Sequence, residues 1–445
     1  MGTVLLTVSG IISKILGFFY KVFLSRTIGA SGLGLYQLIF PIFTLALAIA
    51  ASGIQTAISR NVAIENAKGA SGRIFLVLGL FVSTSLSLTL MLLIHGFAPW
   101  LATNVLMEPR AQNLLEIMSF SLIPASVHSC FNGYYYGKKE SAVPSLCQIS
   151  EQIARIVGTY IIYLVLSKQE LPLLALHAVY GLVIGELAGF LVCLTTFLLQ
   201  NTKGESSLIA LTKDSGKRQS LSKSFESLPL YSLVAMALPL TVNHVLLNLS
   251  HSLENLLIPQ QLVAFGYSAE EALSHFGVLS GMAMSVLMAP AVIPGSLSVL
   301  LLPRISEAKA KGDCNVILDT IKGAASCGIA LGSLCTFLFL FSADWLGTVL
   351  FENSLAGFYI QILSILCPFL YTSGLLNSIV SGLGHPGLAL LCNLSGCTIR
   401  IVAIIFFIPT YGMYAYIIAV IGSFVLTSFE LMGVVGIKCK RMRNV

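Results

Sequence analysis

Charge is what this chain of 445 residues has least of. Asp, Glu, Lys and Arg together make up 10%, against about 25% in a soluble domain. No aspartate precedes Asp214, no acid of either kind falls within residues 4–59, and there are only two tryptophans. With 56% hydrophobic residues and a mean hydropathy of +0.89, so few charges cannot clothe a water-soluble particle of this size. The composition therefore excludes a set of soluble domains and makes lipid the main solvent. Alternation of polar and apolar residues in strands of roughly ten is also missing, which excludes a membrane β-barrel. The ten cysteines show no paired or ligand-like spacing, which leaves them as small core residues rather than a disulfide or zinc framework. There is no nucleophile–base constellation and no phosphate loop, so the chain does not read as an enzyme. No cleavable signal peptide is evident, because the first apolar run contains Lys14 and Lys21.

What is present is a succession of apolar runs long enough to cross a ~30 Å hydrocarbon core as helices. Twelve are expected: 4–25, 34–59, 74–98, 114–135, 144–166, 174–199, 230–257, 276–301, 319–343, 359–380, 388–408 and 412–436. The fold class is an all-α polytopic membrane protein. Basic residues concentrate in one alternate set of loops and in the tail, which by the positive-inside rule places both termini in the cytoplasm of a bacterial cytoplasmic membrane. The net charge of +6 is thereby mostly topology and gives no reason to invoke nucleic acid. A polar stretch divides the spans six and six. The expected organisation is a six-helix lobe over 1–200, a cytoplasmic linker over 201–229, a second lobe over 230–437 and a basic tail over 438–445.

The halves repeat one another. A shift of 245 positions aligns 114–157 with 359–402 without a gap, and pairs two rare intramembrane arginines, Arg155 and Arg400. Six spans separate equivalent points, so the repeats share an orientation and are related by a pseudo-twofold axis along the membrane normal. That predicts two lobes with a central cavity, the architecture of alternating access.

Ionisable groups inside spans are costly and mark cavities or partners. Lys14 and Lys21 are seven apart and share a helix face; with Arg26 they give the first helix a cationic side suited to an anion. The seventh span carries a polar stripe at helical spacing, with His244, Asn248, His251 and Asn255 flanked by Asn243, Ser250 and Glu254. Asn243, His244, Asn248, His251 and Glu254 join the three basic residues as candidate cavity lining. The two histidines, seven apart with no third ligand in sequence, do not suggest a metal site. Glu254 is expected to carry a coupling ion or to pair with a lysine across the cavity. Glu151 and Arg155 stand at the i, i+4 spacing of an intrahelical pair, whereas Arg400 has Gly396 where an acid would be; all three are read as structural charges.

The segment SKILGFFYKVFLSRTIGASGLGLYQLIFP, Ser13 to Pro41, together with the six-helix repeat, resembles the multidrug/oligosaccharidyl-lipid/polysaccharide exporter superfamily. Within it the chain is most similar to the polysaccharide-biosynthesis and stage V sporulation protein B group, relatives of the lipid II flippases. The resemblance implies a V-shaped, two-lobed fold that moves an undecaprenyl-diphosphate-linked saccharide between leaflets. By position Lys14 and Arg26 match basic residues of the flippase motif, and Lys21 lies one residue beyond another. No cofactor is expected beyond coupling to the membrane potential, H+ or Na+. Expected partners are the lipid-linked saccharide, membrane lipids and cell-wall synthesis enzymes. A cation-coupled drug antiporter of the same superfamily is the alternative, disfavoured by the absence of acid in the first two spans.

Overall fold

The computed structural model describes residues 2–67, 71–203, 229–311 and 313–443. The expected linker lies almost wholly outside the described residues, as do the side chains of the tail beyond Lys438. Among the described residues the structure is helical throughout.

The first half comprises α1 (Gly2–Leu47), α2 (Gly53–Ala67), α3 (Arg73–Trp100), α4 (Ala111–Ser119), α5 (Leu122–Gly137), α6 (Ala142–Lys168) and α7 (Ala175–Lys203). The second half begins with α8 (Pro229–Phe265), α9 (Ala269–Phe276), α10 (Met284–Met288) and α11 (Val292–Lys311). It continues with α12 (Cys314–Phe351), α13 (Ser354–Leu363), α14 (Cys367–Gly382) and α15 (Pro386–Phe406). A single turn, Ile408–Tyr411, then leads into α16 (Met413–Arg443).

Ten of these stretches are long and apolar enough to span a membrane, or eleven when the bent pair α4–α5 counts as one. The expected number of twelve is therefore not reached by this measure, and the reason is physical. The stretch Leu5–Ala67 is 63 residues long, about 95 Å at 1.5 Å per residue, three times the hydrocarbon thickness. It is broken at Gly29, whose φ of 70° and ψ of 179° lie far from helical values. Glycine alone adopts such a left-handed conformation without Cβ strain. Tyr20 and Tyr36, on either side of Gly29, line the same cavity, so the chain doubles back there. The boundaries shift too. The second leg continues to Ala67 rather than ending near 59, and the eighth span is divided at 289–291, around Pro290, which cannot continue the hydrogen-bond ladder.

The repeat read from the sequence is visible in the packing. In the first half α6 packs on α7, α5 on α2 and α3, and α1 on α6; in the second, α15 packs on α16, α14 on α11 and α12, and α8 on α15. Each lobe thus repeats one arrangement. The lobes meet where α1 packs against α8 and α9 and α2 against α8. Small residues make that approach possible. A Cβ on Gly34 would lie 2.0 Å from the Leu273 carbonyl oxygen, and one on Gly277 2.1 Å from that of Ala30. Leu24, Leu33, Phe276 and Leu279 belong to one continuous buried cluster spanning the seam, which closes the molecule at the Gly29 end.

Candidate functional site

Beyond that seam, toward the start of α1, lies a cavity of about 710 Å³ between the lobes. Both lysines of the first helix line it. Lys21 precedes Gly29 by eight residues and Lys14 by fifteen, about 12 and 22 Å along the helix axis, so both lie within the apolar span and away from its Gly29 end. Facing them are Gln37 from the returning leg, Gln148, Gln152 and Arg155 from α6, and Ser285 and Met288 from α10. The lining residues include no carboxylate. Lys14 also reaches the opposite lobe, since a Cβ on Gly295 would lie 3.6 Å from its Nζ. Such a surface offers positive charge, amides and hydroxyls to an anionic, hydroxyl-rich solute.

Arg26 is placed differently from its expected role. It stands in the seam, outside the cavity lining, donating from Nε to the carbonyl of Leu350 at 2.8 Å and from Nη2 to the carbonyl of Val349. Glu352 lies 3.9 Å away. These are the last carbonyls of α12, unsatisfied within the helix and at the negative end of its dipole, where a guanidinium is favoured. Sequence spacing gave Arg26 a helix face but not the neighbour across the lobes.

The polar stripe of α8 divides. His251, Glu254 and Asn255 line a second cavity of about 320 Å³, shared with Gln37, Ser280, Arg400 and Tyr416. Asn243, His244 and Asn248 line neither cavity; Asn248 instead donates to the carbonyl of His244 at 2.8 Å. Glu254 is buried and pairs not with a lysine across the central cavity but with Arg400 of its own lobe. Arg400 Nε donates to Glu254 Oε1 at 2.7 Å, and the Tyr416 hydroxyl donates to the same oxygen at 2.5 Å. Arg400 further donates to Ser423 Oγ at 2.9 Å and approaches Cys397 Sγ at 3.2 Å. The acid missing four residues before Arg400 is thus supplied by another helix. Likewise the sequence showed no third donor beside His251, yet Glu254 and Cys397 lie with it inside a 4.8 Å group. The Arg400 guanidinium, bonded to two of those three, stands where a metal cation would have to be.

In the first lobe, Arg155 Nη2 donates to Glu151 at 2.6 Å, as the spacing predicted, and also to Glu186 at 3.2 Å. Glu186 in turn contacts His128 Nε2 at 2.9 Å. His128 and Glu186 were not singled out from the sequence. Neither has an acidic or basic residue near it in its own segment, and only the packing of α5 and α7 on α6 brings them to Arg155.

Comparison with known proteins fits this geometry. A family model described as polysaccharide biosynthesis protein matches residues 1–309. The chain belongs to the polysaccharide biosynthesis protein family. As such it is a multi-pass membrane protein of the multidrug/oligosaccharidyl-lipid/polysaccharide exporter superfamily, and not an enzyme. This family member is 27% identical over 432 residues to stage V sporulation protein B of Bacillus subtilis (strain 168), covering 96% of this chain and 81% of that protein. It is 25% identical over 391 residues to the lipid II flippase MurJ of the same organism, covering 80% and 68%. Among solved structures, an inward-facing multidrug resistance MATE family transporter superposes with a TM-score of 0.74 at 14% identity, covering 97% and 96% of the two chains. A lipid II flippase MurJ in an inward closed conformation superposes with 0.70 at 15%, covering 96% and 87%. These structural likenesses establish the two-lobed fold.

Proposed function

We propose that the protein moves an undecaprenyl-diphosphate-linked saccharide from the inner to the outer leaflet of a bacterial cytoplasmic membrane by alternating access. The observation that carries this reading is the central cavity, with Lys14, Lys21 and Arg155 on its walls and no carboxylate among its lining residues. Within membrane spans, groups of that charge are retained where an anion passes. The diphosphate is held by the lysines, point charges with three donors each. The sugar meets Gln37, Gln148, Gln152 and Ser285, and the polyprenyl tail stays in lipid. The lobes rock about this site, exposing it first to the cytoplasm, where both termini lie, and then outside. An inside-negative potential favours outward passage of an anion by about 2.3 kcal/mol per charge per 100 mV. Similarity to a lipid II flippase and to stage V sporulation protein B supports this substrate class and a setting in cell-wall or spore-envelope synthesis, with enzymes of those routes as partners.

The test is flipping of a fluorescent undecaprenyl-diphosphate saccharide in proteoliposomes, wild type beside Lys14→Ala and Lys21→Ala. The expected outcome is transport that falls at least tenfold in each variant, with Lys21→Arg retaining more than Lys21→Ala. Transport indifferent to both substitutions would remove the diphosphate from this cavity. Absence of flipping, together with proton- or sodium-driven uptake of a cationic dye, would make the protein an antiporter.

A further inference from the structure

The two lobes carry equivalent arginines in unequal electrical surroundings. In the second lobe one guanidinium faces one carboxylate, Arg400 with Glu254, and the charges cancel. In the first lobe a single guanidinium, Arg155, is shared by two carboxylates, Glu151 and Glu186. His128 closes the cluster at 2.9 Å from Glu186. Glu186 is 6% exposed and His128 9%. Two carboxylates and one guanidinium leave an excess negative charge in a membrane interior, which is expensive to hold unneutralised. One proton on the imidazole–carboxylate pair removes it. A metal cation is a poorer neutraliser, because Arg155 Nη2 already lies within 3.2 Å of both acids.

Arg155 is also the one member of the cluster on the wall of the central cavity, and its Nε is buried without a hydrogen-bond partner. We propose that His128, Glu151 and Glu186 form a proton-binding site in the first lobe, linked through Arg155 to whatever anion occupies the cavity. An anion that draws the guanidinium toward the cavity strips Glu151 and Glu186 of their counter-charge, and a carboxylate deprived of a neighbouring cation binds protons more tightly. By reciprocity, a proton on the cluster frees Arg155 for the anion. Anion and proton therefore bind cooperatively. The other titratable groups facing the cluster are Cys147 on α6, 3.8 Å from His128 Nδ1, and Tyr20 and Tyr36 on α1, which face Arg155. Cys193 on α7 reaches it through Asn132 and through Cys147. Free thiols and phenols are mostly neutral at pH 7. The linkage rests on the anionic-substrate reading above; the proton site itself does not.

The experiment uses the full chain in detergent, with farnesyl diphosphate as probe. First, difference titration of the ligand-free proteins between about pH 6 and pH 11 compares wild type with Glu186→Gln. Wild type is expected to release one proton more. Identical titration curves would overturn the proton site. Second, calorimetric binding is measured across pH in two buffers of different ionisation enthalpy. Relative to Glu186→Gln at each pH, which cancels the ionisation of the probe, wild type is expected to take up protons on binding. Its affinity should strengthen by up to about tenfold per unit fall in pH. Equal proton exchange in both proteins, or an affinity that follows sodium instead of protons, would overturn the linkage. If Glu186→Gln fails to fold, Glu151→Gln, which removes the same excess negative charge, replaces it with the same expected outcomes. A wild type that titrates as expected yet does not bind farnesyl diphosphate would sink the diphosphate reading and the linkage together while supporting the proton site.

Discussion

Arg155 and Arg400 were paired by the sequence repeat alone, and the structure finds each of them bonded to acid, Arg400 buried and Arg155 partly exposed to the cavity. What the sequence could not provide was the identity of the acids on other helices. Glu151 is legible because i and i+4 lie on one helix face. Glu186 and Glu254 are 31 and 146 residues from their arginines, and nothing local announces them. Removing one member of a buried pair leaves the other charged and unpaired in an apolar interior, a cost of about 3–5 kcal/mol. Glu254→Ala is therefore expected to lower the thermal midpoint of the detergent-solubilised protein by several degrees. Glu254→Leu combined with Arg400→Met should recover most of that loss, because both charges go together. A double variant no more stable than Glu254→Ala would show that the bonds of Arg400 to Ser423 and Cys397 matter more than its charge pair. The lysines behave in the opposite way. Lys14 and Lys21 were legible by spacing, and the fold places them on the cavity without a carboxylate partner among the cavity's lining residues.

At the scale of elements, apolar length and Gly/Pro punctuation located nearly every helix, and the differences lie in where helices end or divide. Gly29 falls between the expected spans 4–25 and 34–59, and the turn there is so tight that the hairpin of α1 has helical hydrogen bonding on both sides of a single non-helical residue. Pro290 does the reverse, dividing one expected span into α10 and α11. The approach of Gly34 to Gly277 belongs to this scale. Each sits where a side chain would meet backbone atoms of the other lobe at about 2 Å, and overpacking of that kind costs about 1–3 kcal/mol. Gly277→Val is expected to weaken the seam and not the individual lobes. Since 1.4 kcal/mol is a factor of ten in an equilibrium, the ratio of molecules closed to open at the Gly29 end should fall by about fivefold to a hundredfold. Spin-label distances between the Gly29 turn of α1 and the Phe351 end of α12 would register this as a second, longer distance. An unchanged distance distribution with a lowered melting temperature would mean that the residue supports the fold rather than the closed state.

For the whole molecule, the seam and the cavity are two sides of one conformation. The cavity is closed at the Gly29 end by the apolar cluster and by Arg26 capping α12. Alternating access requires that closure to break while the contacts within each lobe persist. Arg26 is about half exposed, so its ion pair with Glu352 is worth little; its bonds to the Val349 and Leu350 carbonyls provide most of its hold. Arg26→Ala is expected to raise the labelling rate of a cysteine placed at Ser285, in the cavity, by a membrane-impermeant thiol reagent added on the Gly29 side of the membrane. Transport should then change in rate without losing its dependence on Lys14 and Lys21. An unchanged labelling rate would show that the apolar cluster closes this end unaided.

The sequence by itself determined the solvent, the helical class, the twofold repeat and the basic face of the first helix. Each of these depends on composition or on spacing within one segment, and such quantities survive in a linear chain. Only the tertiary structure decided which charges are neutralised. It moved Arg26 from the cavity to the seam, gave Glu254 to Arg400, and gathered His128 and Glu186 around Arg155. Those assignments depend on which helices become neighbours, helped by small residues that let backbones approach, such as Gly34 and Gly277 between the lobes and Gly181 and Gly185 of α7 against α6, and not on any pattern within a single span.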